Sequence, residues 1–181
     1  MPAGNIRKRI SGIPVFCITG FKNAGKTTLV TRLVAELTRR GYHVATIKFA
    51  HHEVEVDHEG RDSFRHRAAG ARSVALISPY RWAVMHELDE SAGEAPPAVE
   101  DIVPLLGKPD LVLIEGRTVR VPKLEVCAKD TTRPPLAESD AYVVAVAAAG
   151  GCRHERLPGF DRDDIAAIAD FIEDFLELER S

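Results

Sequence analysis

The sequence predicts an α/β domain, a mostly parallel sheet flanked by helices, and two observations carry that prediction. Short apolar runs alternate with longer amphipathic stretches along the chain. The first of those runs also feeds a glycine loop that opens directly into a helical pattern. With 181 residues, of which 45% are hydrophobic and 28% charged, the chain can bury one real core, and wholesale disorder is excluded.

In order, residues 1–12 (MPAGNIRKRISG) read as a short N-terminal tail, and 13–181 as one domain. Basic residues followed by an apolar run look superficially like a secretory leader, but the run is short, contains Pro14 and lacks a small-residue cleavage site. Ile13 to Thr19 is continuously apolar with β-branched members, as a strand buried on both faces requires. After the glycine loop, Leu29, Val30, Leu33, Val34 and Leu37 recur at helical spacing up to Gly41, a terminating glycine. Tyr42 to Phe49 reads as a strand, Ala50 to Gly60 as a polar loop and Arg61 to Gly70 as a short helix.

Ser73 to Ile77 and Arg81 to Leu88 are two short apolar runs interrupted by Ser78-Pro79-Tyr80, the pattern of an extra hairpin. Asp89 to Pro97 reads as an exposed connection, and Ala98 to Leu106 as a helix whose end Pro104 weakens. Asp110 to Ile114 is a buried strand closed by Glu115-Gly116, with further strands at Lys123 to Cys127 and Ala141 to Ala148 around a proline-containing loop. Ile165, Ile168, Ala169, Ile172, Phe175 and Leu176 mark one face of a C-terminal helix.

Charge and cysteine usage narrow the partners. The 24 Lys and Arg against 27 Asp and Glu give a net charge of −3, so no overall basic field holds a nucleic acid or an anionic membrane. No apolar run approaches the roughly 18 residues of a membrane span. Cys17, Cys127 and Cys152 are widely spaced with no CxxC pair, which fits free thiols in a reducing cytoplasm.

The chemistry centres on Gly20-Phe21-Lys22-Asn23-Ala24-Gly25-Lys26-Thr27, which matches G-x-x-x-x-G-K-[ST] at every fixed position, between a strand and a helix. Glycines let the backbone curl so that successive N–H groups face a phosphate, and the helix N-terminus adds its positive dipole end. Lys26 is then expected to reach the β- and γ-phosphates and Thr27 to ligate Mg²⁺. Such a loop needs a second acid at the carboxyl end of a neighbouring buried strand. Glu115 ends the run 110–115, whereas Asp110 begins it, so Glu115 is the preferred metal or water ligand.

Four of the seven histidines, His51, His52, His58 and His66, fall close together with Glu53, Glu55, Asp57, Glu59 and Asp62. Their spacing matches no standard zinc pattern. The segment reads either as a solvated or ligand-contacting loop or as a metal site, and as a switch it would bring Asp62 or Asp57 to the Mg²⁺ shell through water. Lys48, Arg61, Arg65, Arg67 and Arg72 cluster nearby, either as a solvated face or as a receiver for a second anion.

Taken in order with the phosphate loop, Ile47-Lys48, His51-His52, Gly60-Arg61-Asp62-Ser63-Phe64-Arg65-His66, Ala69-Gly70-Ala71, Asp110 to Gly116 and Pro122-Lys123-Leu124-Glu125-Val126 resemble the MobB family. These are the molybdopterin-guanine dinucleotide biosynthesis adaptor proteins, and the resemblance spans roughly residues 13–147. It implies a P-loop NTPase-type, GTPase-like fold that binds GTP with Mg²⁺ and hydrolyses it weakly. It also implies a homodimer that assists a MobA-type guanylyltransferase, the enzyme that attaches GMP to molybdopterin, with molybdopterin itself a further candidate ligand.

Carried over by residue, Gly20, Asn23, Ala24, Gly25, Lys26, Thr27 and Thr28 would hold the phosphates, and His51 and His52 would line the adjacent cavity. Thr27, Asp62 and Glu115 would lie at the metal, and Lys26, Thr27 and Glu115 would carry the catalysis. The chain departs from the family's pattern at Phe49, where a histidine is more usual, and at Arg117, where an aromatic is. It also has no Asn-Lys-x-Asp motif for guanine. Two other readings of the same loop are a small metabolite kinase and a nucleotide-dependent metallochaperone. The apolar segments around Ser73 to Leu88 are the candidates for joining two subunits.

Overall fold

The computed structural model describes residues 6–50, 57–116, 119–128 and 133–179. By its internal contacts the chain divides into two compact units, one formed by the chain up to Phe49 and from Val99 onward, the other by Ala50–Ala98.

The first unit is built on a twisted, largely parallel sheet. Strand β1 (Arg9–Ile10) pairs antiparallel with the start of β2 (Ile13–Thr19), so part of the segment read as a tail is tied to the sheet, and Ile10 is buried in the core. Helix α1 (Lys26–Arg39) follows β2 and leads to β3 (Val44–Lys48). Helix α3 (Val99–Ile102) and a 3₁₀ turn lead to β6 (Leu111–Glu115), β7 (Lys123–Val126), β8 (Val143–Ala148) and β9 (Gly159–Asp161), before α4 (Ile165–Leu176). The strand order is β3-β6-β2-β7-β8-β9, with every pair along it parallel. A parallel order of this kind sets all carboxyl ends on one edge, where ligands of such sheets bind.

Alternation along the central strands sorts the core into two layers. Phe16, Ile18, Leu111 and Leu113 join Leu29, Leu33 and Leu37 of α1 and Ile168 and Ile172 of α4 on one face. Val15, Cys17, Val112 and Ile114 pack on the other with Val99, Val103, Val119 and Val121. Both faces are covered, which is why these strands read as unbroken apolar runs. Arg40, at the end of α1, pairs with Glu36 on its own helix and with Glu173 of α4 at 2.8 and 2.9 Å, locking the two helices together. Strand β9 leaves no periodic signal in the sequence, because its three residues, Gly-Phe-Asp, are too few and too mixed.

The second unit carries α2 (Asp62–Ala68) and a hairpin of β4 (Ser73–Ile77) and β5 (Trp82–His86). The turn is fastened by Ser78, whose hydroxyl accepts from the N–H groups of Tyr80 and Arg81. In the hairpin register Ile77 faces Trp82 and Ala75 faces Val84. That side is exposed: Ile77 is 84%, Trp82 62% and Val84 61% accessible, whereas Val74 on the other side is buried.

Candidate functional site

The phosphate loop leaves β2 at the carboxyl edge and curls under two steric constraints. Gly20 has φ +140°, and a Cβ there would stand 2.5 Å from the carbonyl oxygen of Val126 at the end of β7, so only glycine fits. Gly25, with φ +99°, is the N-cap of α1, and no side chain caps the helix and no acid sits in its first turn. The first N–H groups of a 14-residue helix and their positive dipole end are therefore not neutralised from within the helix. Within the loop, Lys26 Nζ donates to the carbonyl of Phe21 at 2.8 Å, so its ammonium folds back over the loop's concavity.

The side chains at the head of α1 meet those at the ends of β6 and β3. Thr27 Oγ1 donates to Glu115 Oε1 at 2.7 Å. Glu115 lies opposite Ile18 of β2 and opposite Lys48 of β3 in the parallel register, and it is mostly buried. Lys48 Nζ stands 3.7 Å from Glu115 Oε2 and 3.5 Å from Thr27 Oγ1. Asp110, the alternative acid, begins the same strand run and accepts the His43 N–H at 2.6 Å, at the far edge of the sheet. Thr27 and Glu115 thus bring two oxygen groups of the kind hard divalent cations take into contact, with the Lys48 ammonium competing for the same carboxylate.

On the other side of the loop, β7 to β9 supply different chemistry. The Glu125 carboxylate is buried and accepts the N–H groups of Leu136 and Ala137, both at 2.8 Å, and the buried Lys123 ammonium pairs with Asp140 at 2.6 Å. These contacts explain the Pro-Lys-Leu-Glu-Val segment structurally, since they fasten the loop around residues 136–140. Arg162, following β9, donates from Nη1 to the Ala24 carbonyl at 3.1 Å. Burial pushes the Cys17 thiol up to about 12, and burial together with the nearby Glu125 charge does the same for Cys127, so both thiols stay neutral at ordinary pH.

Of the residues expected at the site, the structure brings the loop from Gly20 to Thr28 together with Glu115. Asp62 opens α2 in the other unit, exposed, with Arg65 at 3.9 Å. Asp57, expected as an alternative, is committed elsewhere: it is buried and accepts from Ser63 Oγ and the His58 N–H, both at 3.0 Å, which fixes the start of α2. His51 and His52 lie outside the described residues, as does Arg117. Phe49 packs its ring over Gly116, where a Cβ would meet it at 2.9 Å, so the departure at that position supports the turn after Glu115. Sequence reasoning missed Lys48 as a neighbour of Glu115 and missed Arg162 altogether. The first follows only from strand register, and no motif marks the second.

Comparison with known proteins shows the family. The family model for molybdopterin guanine dinucleotide synthesis protein B, MobB, matches residues 15–149. The chain belongs to the MobB family. It is 38% identical over 167 residues to the molybdopterin-guanine dinucleotide biosynthesis adapter protein of Haemophilus influenzae, covering 91% of this chain and 90% of that one. It is 31% identical over 172 residues to the corresponding Escherichia coli protein, covering 92% and 95%. A crystal structure of molybdopterin-guanine biosynthesis protein B superimposes with a TM-score of 0.66 at 25% identity, over 90% of this chain and 99% of that one. Bacillus subtilis MobB does so with a TM-score of 0.69 at 23% identity, over 93% and 100%, a likeness of fold. The P-loop NTPase-type parallel sheet flanked by helices is therefore the family's architecture. Among the described residues, no helix is long and apolar enough to cross a membrane.

Proposed function

We propose that this protein is a cytoplasmic GTP-binding adaptor of molybdopterin-guanine dinucleotide biosynthesis, hydrolysing GTP slowly with Mg²⁺ and assisting a MobA-type guanylyltransferase. The observation that carries it is the complete phosphate loop, Gly20 to Thr28, in contact with Glu115 inside a chain of the MobB family.

In this reading the backbone N–H groups from Asn23 to Thr28 receive the phosphates, and Lys26 leaves the Phe21 carbonyl to pair with the β- and γ-phosphoryl oxygens. Thr27 and Glu115 would hold the Mg²⁺, which would supply positive charge to the triphosphate. Alternatively, Glu115 would accept a hydrogen bond from the attacking water and orient it. Lys48 Nζ stands 3.7 Å from the same carboxylate and adds its positive charge beside the phosphates.

The protein acts as a homodimer, with the exposed apolar face of Ala75, Ile77, Trp82 and Val84 covered by a second copy. Calorimetric titration with Mg²⁺ and either GTP or ATP tests the reading. Preference for GTP is expected, with affinity lost in Lys26→Ala and binding kept but hydrolysis slowed in Glu115→Gln. Preference for ATP, or wild-type affinity in Lys26→Ala, would overturn it.

A further inference from the structure

Arg162 lies beyond the residues matched by the family model, yet its guanidinium reaches the phosphate loop. Its backbone is held by contacts on both sides. The Arg162 N–H donates to the Ala148 carbonyl at 2.9 Å, extending the β8–β9 pairing. Asp161 on one side accepts from the Gly150 and Asp163 N–H groups at 3.2 and 2.9 Å. Asp163 on the other side takes Arg32 of α1 in an ion pair, and the Arg32 guanidinium also donates to the Asp163 carbonyl at 3.0 Å. Asp164 then caps α4 through the Ala167 N–H at 3.1 Å. Each neighbour is engaged in fixing the segment against β8, α1 or α4, so Arg162 is delivered to the loop from a rigid support.

The guanidinium donates to the Ala24 carbonyl at 3.1 Å, and its Nη1 lies 2.9 Å from where a Cβ on Gly25 would stand. Glycine at 25 thus serves two ends: it adopts φ +99°, and it leaves the room that the guanidinium fills. A planar trans peptide points its C=O and its N–H to opposite sides. Holding the Ala24 oxygen toward Arg162 therefore turns the Gly25 N–H away from it. If that peptide flipped, a carbonyl oxygen would replace an N–H donor in a loop whose purpose is to surround an anion with donors.

We propose that Arg162 is a positioning residue that sets the orientation of the Ala24–Gly25 peptide and so fixes the Gly25 N–H as a phosphate donor. It also adds a positive charge behind the loop. This rests on the nucleotide-binding reading above and deepens it: Arg162 acts on the phosphate chain through the loop, not on the base. A charge-assisted hydrogen bond of this kind corresponds to about ten- to hundredfold in affinity.

The test titrates the full chain and the variants Arg162→Ala, Arg162→Lys and Lys26→Ala with Mg²⁺ and two probes, GTP and inorganic tripolyphosphate, which has no base. Thermal unfolding of each protein without added nucleotide runs alongside. The expected result is an about tenfold or greater loss for both probes in Arg162→Ala, with the melting midpoint near wild type. Partial recovery is expected in Arg162→Lys, and recovery on adding methylguanidinium to Arg162→Ala. If Arg162→Ala binds both probes like wild type while Lys26→Ala binds neither, the positioning role is overturned and the nucleotide site stands. A loss confined to GTP would overturn it too, because Arg162 would then serve the nucleoside. Failure of the wild-type chain to bind either probe would remove the nucleotide reading and this inference together.

Discussion

The two compact units solve the problem of apolar strands in opposite ways. In the sheet unit, Phe16, Ile18, Leu111 and Leu113 sit at or near zero exposure because α1 and α4 cover one face, and the layer of Val99, Val103 and Val121 covers the other. In the hairpin unit, Ile77, Trp82 and Val84 are equally apolar and largely exposed. A two-stranded hairpin has too little surface of its own to enclose both faces, and an isolated one is at best marginally stable in water. The lesson is that apolarity in a strand states a demand for burial. The partner that meets it comes from the same chain in one unit and, in our reading, from a second chain in the other.

Four measurements probe the contrast between the two units. The largest effect belongs to the closed core. Leu113→Ala, at zero exposure, should cost about 2–5 kcal/mol in denaturant unfolding, against less than about 0.5 kcal/mol for Val84→Ala on the open hairpin face. Equal costs would mean that the hairpin face is not open to solvent.

The next largest effect separates stability from association. Trp82→Ser should weaken self-association by about tenfold or more in sedimentation equilibrium while leaving the unfolding of the sheet unit unchanged. An unaltered dimerisation constant would place the subunit contact elsewhere.

A third measurement uses the cysteines, all of which lie in the sheet unit. Burial holds Cys17 as a neutral thiol, pushed up to about 12, so at pH 8 it should resist alkylation until denaturant opens the sheet. Prompt labelling under native conditions would show that the sheet opens far more readily than its packing implies.

The smallest effect is electrostatic. The guanidinium groups of Arg39 and Arg40 hold the Glu36 carboxyl down at about 2, below its ordinary 4.5. A carboxyl whose value is depressed by folding stabilises the fold above the ordinary value, and that contribution is lost as pH falls from about 4.5 to about 2. The melting midpoint of the wild type should fall slightly more steeply across that window than that of Glu36→Gln, as followed by circular dichroism. Superimposable profiles would show that the α1–α4 clamp draws nothing from Glu36 ionisation.

Much of this protein was legible in its residues, and the limits have identifiable causes. Ile13 to Thr19 and Asp110 to Glu115 could be read as buried strands because a parallel strand covered on both faces must be apolar throughout. The loop from Gly20 to Thr27 could be read because its chemistry requires fixed residue types at fixed spacing. The two unanticipated strands, Arg9–Ile10 and Gly159–Asp161, are too short for periodicity to act on. Asp57 looked like a candidate metal neighbour by its place in the chain, and the structure spends it on Ser63 and the His58 N–H.

The sequence by itself determined the parallel α/β plan, the phosphate loop and the choice of Glu115 over Asp110 as the acid at the carboxyl edge, because each is a local pattern or a position along one strand. Only the tertiary structure decided that Lys48 stands beside Glu115, that Glu125 and Lys123 fasten a loop, and that Arg162 reaches Ala24. Those contacts join residues far apart in the chain through strand register and the fold of β8 and β9. Register is a property of which strands lie side by side, and no spacing within a single segment encodes it.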